Sequence, residues 1–252
     1  KAIRRQRQMC IRDSNGTLKI IDSMGNGLME AIKYKIIENN GTLEIDGANL
    51  SCEHSGNIVN AGTLIVTSGT ISGEIGNSGE MTINGGTLSS IGNSGKLTVN
   101  GGNISSIDNT GTTTIIGGTI SNGGIYNSST GILNVGEKGD SISITSPVIQ
   151  GLEYAINNSG TFNFYDGKLI GGTAPVSGTI TELEPGYKLS ISDDATNNTK
   201  VGYLVVIADD ERVAMVNGIN FSSLQDAINS VKDNTESNIV IYKDIELTED
   251  II

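Results

Sequence analysis

The chain has 252 residues, with 34 Gly, 3 Pro, no Trp and 4% aromatic residues against 36% hydrophobic residues overall. So few large fillers exclude an ordinary compact core, and the regular recurrence of Ile, Leu and Val excludes disorder. A formal charge of −12 argues against non-specific binding to nucleic acid or anionic membrane, and no apolar run approaches the roughly 20 residues a membrane span needs.

Residues 1–14, KAIRRQRQMCIRDS, are basic and unlike everything after them. The stretch Arg4 to Ser14 resembles a translated sequencing adapter of the kind used in transposase-based library preparation; the alternative is a basic N-terminal arm. On the adapter reading this segment has no native structure, and the native chain is expected to extend beyond both ends of the sequence. Setting aside its five basic residues (Lys1, Arg4, Arg5, Arg7, Arg12) and Asp13 takes the formal charge from −12 to −16. Cys10 goes with them, which leaves Cys52 without a disulfide partner.

From residue 15 onward the sequence repeats. Aligned on Asn-x-Gly, it reads NAGTLIVTSGTISGEIG from Asn60, NSGEMTINGGTLSSIG from Asn77, NSGKLTVNGGNISSID from Asn93 and NTGTTTIIGGTISNGGIY from Asn109, in steps of 17, 16, 16 and 18 residues. Looser copies start at Asn15, Asn39 and Asn157. Within each unit the apolar residues alternate and then reappear after a Gly-Gly turn: Leu64, Val66, Ile71, Ile75; Met81, Ile83, Leu88, Ile91; Leu97, Val99, Ile104, Ile107. Spacing of two marks strands with one buried face, whereas a helix would need spacings of three and four.

A single unit cannot fold, because four buried aliphatics do not offset the ordering of sixteen residues. Stacked units can, since each backbone N–H and C=O then pairs with the coil above or below. The expected fold is therefore all-β: a right-handed parallel β-helix (β-solenoid) of 16–21-residue coils over residues 15–180, followed by a short α+β segment. Glycines supply the corners. Asn60, Asn77, Asn93, Asn109 and Asn127 are expected to stack at one corner as a hydrogen-bonding ladder.

The pattern N-x-G-T-L-x-I-x-G-G-x-I-S resembles the right-handed parallel β-helix, pectate-lyase-like repeats of large adhesin-like bacterial surface proteins. Regularity breaks at residues 22–38 and 136–156, which are either functional insertions or ordinary variation in coil length. Residues 181–211 read as a terminal coil and linker strands. Residues 212–252 read as the truncated start of a second β-helix or as a small α+β cap, with a capping helix over 222–233 followed by strands. Its capping box is Ser222 with Gln225, or Ser223 with Asp226.

The resemblance raises polysaccharide lyase and glycoside hydrolase chemistry. Lyases of that kind use an Arg or Lys base beside acidic calcium ligands, and no Arg lies between Asn15 and Glu211. Inverting hydrolases need paired carboxylates roughly 6.5–9.5 Å apart. The outward acids Glu44, Asp46, Glu74, Glu80 and Asp108 share no coil offset, and only Asp46 and Asp166 fall at the same turn of distant copies. Cys52 and His54 lack the further ligands of a zinc site. Glu137 with Asp140, and Asp193 with Asp194, match no calcium loop. No catalytic residue, metal or cofactor is therefore assigned.

Tyr165, Tyr154 and Tyr126 are candidate glycan contacts, Tyr165 foremost because its parity points outward, while Phe162 and Phe164 fill core slots. The expectation is a non-catalytic structural or adhesive segment of a large secreted or cell-surface bacterial protein. It would be monomeric within a longer chain, with glycans or surface proteins as partners. The alternative is an accessory part of a lyase or hydrolase whose catalytic coils lie elsewhere.

Overall fold

A computed structural model describes residues 11–12, 16–23, 27–31, 36–52, 58–231 and 236–244. The chain winds as a parallel β-solenoid of about seven turns. One coil shows how. The corner Ser78–Gly79 leads into strand Glu80–Ile83, a turn at residues 84–86 follows, and strand Thr87–Asn93 returns to the next corner. Successive coils pair in parallel and in register, Met81 with Leu64 and Leu97, and Ile91 with Ile75 and Ile107. Ile11–Arg12 also pairs in parallel, with Ile37–Glu38.

Register turns the alternating sequence into columns of like side chains. One runs Leu43, Leu64, Met81, Leu97, Thr113, Leu133, Phe162; beside it runs Ile45, Val66, Ile83, Val99, Ile115, Val135, Phe164. A third consists of isoleucines, from Ile37 through Ile58, Ile75, Ile91, Ile107 and Ile125 to Ile156. All these side chains are buried. The shortage of aromatics follows from this shape: the space inside each coil is narrow and fits one layer of aliphatics. Among the described residues, two rings pack together in the late coil holding Phe162 and Phe164, with centroids 6.0 Å apart.

Glycine is imposed at two places in the coil. At the first corner, a Cβ on Gly95 would lie 2.2 Å from the carbonyl oxygen of Gly79, one coil below. At the second, Gly86 and Gly102 sit at φ +95° and +91°, a region L side chains avoid.

Parallel stacking ends in an antiparallel hairpin, Tyr187–Asp194 with Thr199–Val206, whose second strand pairs antiparallel with Lys168–Gly171. The free outer strand carries Lys188 paired with Glu211, and Asp193 paired with Lys200. Charges on an open edge oppose the addition of another strand.

Beyond the hairpin, Ala214–Val216 pairs antiparallel with both Ile219–Phe221 and Ile239–Ile241. The helix is Leu224–Asn229, shorter than expected from sequence, and the Asp226 amide donates to Ser223 Oγ at 3.1 Å, so the second capping option is the one formed. Ala214, Val216, Phe221 and Ala227 make a small separate core. The end of the anticipated helix (232–233) and the last part of the anticipated strands (245–252) lie outside the described residues.

Candidate functional site

Seven asparagines, buried at one corner, form a continuous amide ladder. Each side-chain Nδ2 but the last donates to the Oδ1 of the next coil's asparagine: Asn39 to Asn60, then Asn77, Asn93, Asn109, Asn127 and Asn158, at 2.7–3.0 Å. The same Nδ2 of Asn77 also donates to the carbonyls of Gly79 and Lys96. The ladder thus ties both sheets of one coil to the next. Asn39 and Asn158 extend it beyond the five evenly spaced positions. Thr113 occupies a leucine slot because its hydroxyl joins the same network, donating to Asn109 Oδ1 at 2.8 Å and accepting from Asn93.

On the outer face, one strip lacks side chains. Gly76 and Gly92 occupy the same outward position in successive coils, with Val59 before them and Asp108 and then Tyr126 after. The backbone demands neither glycine. Neither has a positive φ, a Cβ on Gly76 would meet nothing within 4 Å, and one on Gly92 would find Glu74 Oε1 at an ordinary 3.5 Å. Glycine inside a strand weakens it, and is found at bulges, at tight bends and where a ligand or another backbone approaches closely. The strip opens as a shallow trough of about 360 Å³, walled by Glu74 and Asp108. Gly76→Thr and Gly92→Thr are each expected to raise stability by about 0.5–1 kcal/mol. A lowered melting temperature in either variant would assign that glycine a backbone role.

Of the three tyrosines, Tyr126 is 46% exposed at the end of this strip, and Tyr154 is half-buried. Tyr165 corrects the sequence expectation. It is only 8% exposed, and its hydroxyl donates to Glu182 Oε2 at 2.6 Å. Outward parity fails because the strand stops at Phe164, and the ring beyond it lies against the strand Glu182–Leu183 that carries its hydrogen-bond acceptor.

The long insertion after Val135 is fastened by carboxylates of this neighbourhood. Glu182 accepts from Lys138 and Tyr165, Glu184 from the Gly139 amide at 3.0 Å, and Asp166 from the amides of Ser143 and Gly167 at 2.5 and 2.6 Å. Burial pushes the Glu182 pKa up, but the Lys138 and Tyr165 hydrogen bonds outweigh it and leave the group below the ordinary glutamate value. Burial raises Glu184 and Asp166, only partly offset by the amides they accept and, at Glu184, by Lys138. The signs are opposite. The Glu182 contribution to stability is present above the ordinary glutamate pKa and is lost as pH falls through its depressed folded value. Those of Glu184 and Asp166 are present below their ordinary values and are lost as pH rises through their raised ones. Glu182→Gln should therefore lower the melting temperature at pH 7 and lower it less at pH 3. Glu184→Gln, which still accepts from Gly139, should raise it at pH 7. Melting curves of both variants across pH 3–8 check the pattern, and equal shifts at both ends would contradict it.

The other chemical candidates are scattered. Asp46 accepts from Ser68 at 2.6 Å, far from Asp166 along the stack. Asp194 caps its own turn through Thr196 and Asn197, and these hydrogen bonds lower its pKa. Cys52 ends the strand Asn49–Cys52, and His54 lies outside the described residues. Among the described residues no group of three or more His, Cys, Asp or Glu could hold a metal ion, and no helix is long and apolar enough to cross a membrane.

The fold defines a parallel β-solenoid. No family model, no curated protein and no solved structure matches the chain.

Proposed function

We propose that this chain is a non-catalytic rod that spaces and presents a surface, part of a large secreted or cell-surface bacterial protein. The observation that carries the reading is the unbroken parallel stacking, with aliphatic columns and an amide ladder running from coil to coil. Such a solenoid gains stability from each neighbouring interface and offers a long outer face to partners. The carboxylates of the long insertion support it, because they are committed to holding that loop. Residues 212–252 fit this reading as the start of a further module of the same parent protein.

The test is direct. The full chain, incubated with pectin, xylan and chitin, is expected to release neither new reducing ends nor unsaturated products. Sequencing the source DNA across both ends of the frame is expected to recover a signal peptide, a wall anchor and further repeats. Sustained product release, or further coils carrying clustered Asp, Arg and Lys on one face, would replace this reading with that of an enzyme's accessory segment.

A further inference from the structure

We infer that the N-terminal end of the stack is a docking surface for one further parallel coil, which brings a side-chain amide donor to Asn39. The amide ladder has a direction: each inner rung accepts from the coil before it and donates to the coil after. At the far end the last donor is satisfied, because Asn158 Nδ2 donates to the carbonyls of Gly160 and Thr179 at 3.0 and 2.7 Å. At the near end Asn39 Oδ1 accepts no hydrogen bond among the described residues, although Asn39 is only 1% exposed. Rotating the amide gives no relief. Its Nδ2 already donates to Asn60 Oδ1 and to the carbonyls of Gly41 and Thr63, so an oxygen in that place would face three acceptors. Buried acceptors are almost always paired, and one left without a donor is costly.

The same end is open in its backbone and in its core. Among the described residues, strand Thr17–Ile21 pairs only with Thr42–Asp46, and strand Leu28–Ala31 only with Asn49–Cys52. Leu18 and Ile20 head the columns that continue as Leu43 and Ile45, yet both stay partly exposed where Leu43 and Ile45 are fully buried. The opposite end differs: there the antiparallel strand Thr199–Val206 covers Lys168–Gly171.

These features select the occupant. It must pair in parallel with open strand edges, cover two aliphatic columns and present a donor at the ladder corner. A second copy of the chain fails the last demand, since a two-fold contact between these ends sets each Asn39 acceptor against its own equivalent. A coil of the protein's own kind meets all three. Ile11–Arg12 already pairs in parallel with Ile37–Glu38, which fixes the register of such a coil. In sequence, Ile58-Val59, Ile75-Gly76 and Ile91-Gly92 are each followed by a ladder asparagine, whereas Ile11-Arg12 is followed by Asp13. An ionised aspartate offers lone pairs alone, while an asparagine offers the missing donor. The occupant is therefore a coil with asparagine at position 13.

The full chain serves for the test. At pH 7, Asp13→Asn is expected to raise the melting temperature by about 2–4 °C and to slow amide exchange over residues 36–46 by up to about tenfold. Asp13→Ala removes the charge without supplying a donor and should give less than half of either gain. Equal gains from alanine and asparagine would reduce the effect to charge removal and overturn the proposal, as would the absence of any gain from asparagine. Sedimentation velocity addresses the rival occupant. A monomer is expected, and a dimer that Ile21→Glu on the open edge strand dissociates would assign this end to a second copy and overturn the proposal as well. Each of these failures leaves the rod reading intact, because that reading falls only on release of sugar products or on catalytic coils elsewhere in the parent protein.

Discussion

Asn77→Leu is expected to destabilise the fold by about 3–5 kcal/mol, although leucine is close in volume and suits a buried site. The side chain is enclosed, and four hydrogen bonds meet on it: one accepted from Asn60 and three donated, to Asn93 Oδ1 and the carbonyls of Gly79 and Lys96. Leucine leaves Asn93 Oδ1 without a donor in a dry environment, which costs about 1–3 kcal/mol, and removes a further hydrogen bond of about 0.5–1.5 kcal/mol from each of the two carbonyls, although Gly79 keeps the Lys96 N–H. Asn77→Asp separates shape from chemistry. A carboxylate there faces three acceptors, so its folded pKa is raised and stability is lost as pH rises through it. Relative to the parent, this variant should be weaker at pH 7 than at pH 3, while Asn77→Leu should show no such dependence. Urea unfolding at both pH values measures this, and a penalty under about 1 kcal/mol for leucine would mean that the ladder contributes little.

The second large effect is steric. Gly95→Val is expected to cost at least about 3 kcal/mol, since its Cβ would stand 2.2 Å from one backbone oxygen and 2.7 Å from a carbonyl carbon of the coil below. Backbone cannot rotate aside as a side chain can, so the two coils must separate, breaking the Lys96 N–H to Gly79 bond of 2.9 Å. Gly92→Val, three residues earlier in the chain, serves as the control: it adds the same bulk where a Cβ meets only the Glu74 side chain, at an ordinary 3.5 Å. Chemical unfolding that finds the two variants equally stable would refute the steric argument. The contrast separates glycines that the fold needs from glycines that it merely tolerates.

Alternation at spacing two made the aliphatic columns legible from sequence, because parallel register aligns whatever recurs at a fixed offset. The same offset exposed the ladder where coils are 16–18 residues long. It hid Asn39 and Asn158, whose steps stretch to 21 residues and, around the insertion at 136–156, to 31. Thr113 gave no warning, since a polar residue in a leucine slot is explained only by the neighbouring amides. Tyr165 misled because parity holds only while a strand continues. The trough could have been read from aligned coils, where IGN occurs twice before giving way to IDN and IYN, but identifying those glycines as dispensable requires the space above each one. The carboxylate fastening of the long insertion depends on contacts 44–45 residues apart, beyond any local pattern.

Because every buried contact of a regular coil is made with its immediate neighbours, the coils are interchangeable parts. Excising residues 77–92 would bring Asn93 into the place of Asn77 beside Asn60, matching column for column: Leu97 for Met81, Val99 for Ile83, Ile104 for Leu88. Unequal recombination between stretches of DNA that encode such similar coils would then lengthen or shorten the rod by whole coils with little repacking. Reach would vary between lineages faster than fold, and the antiparallel hairpin would cap the stack at any length.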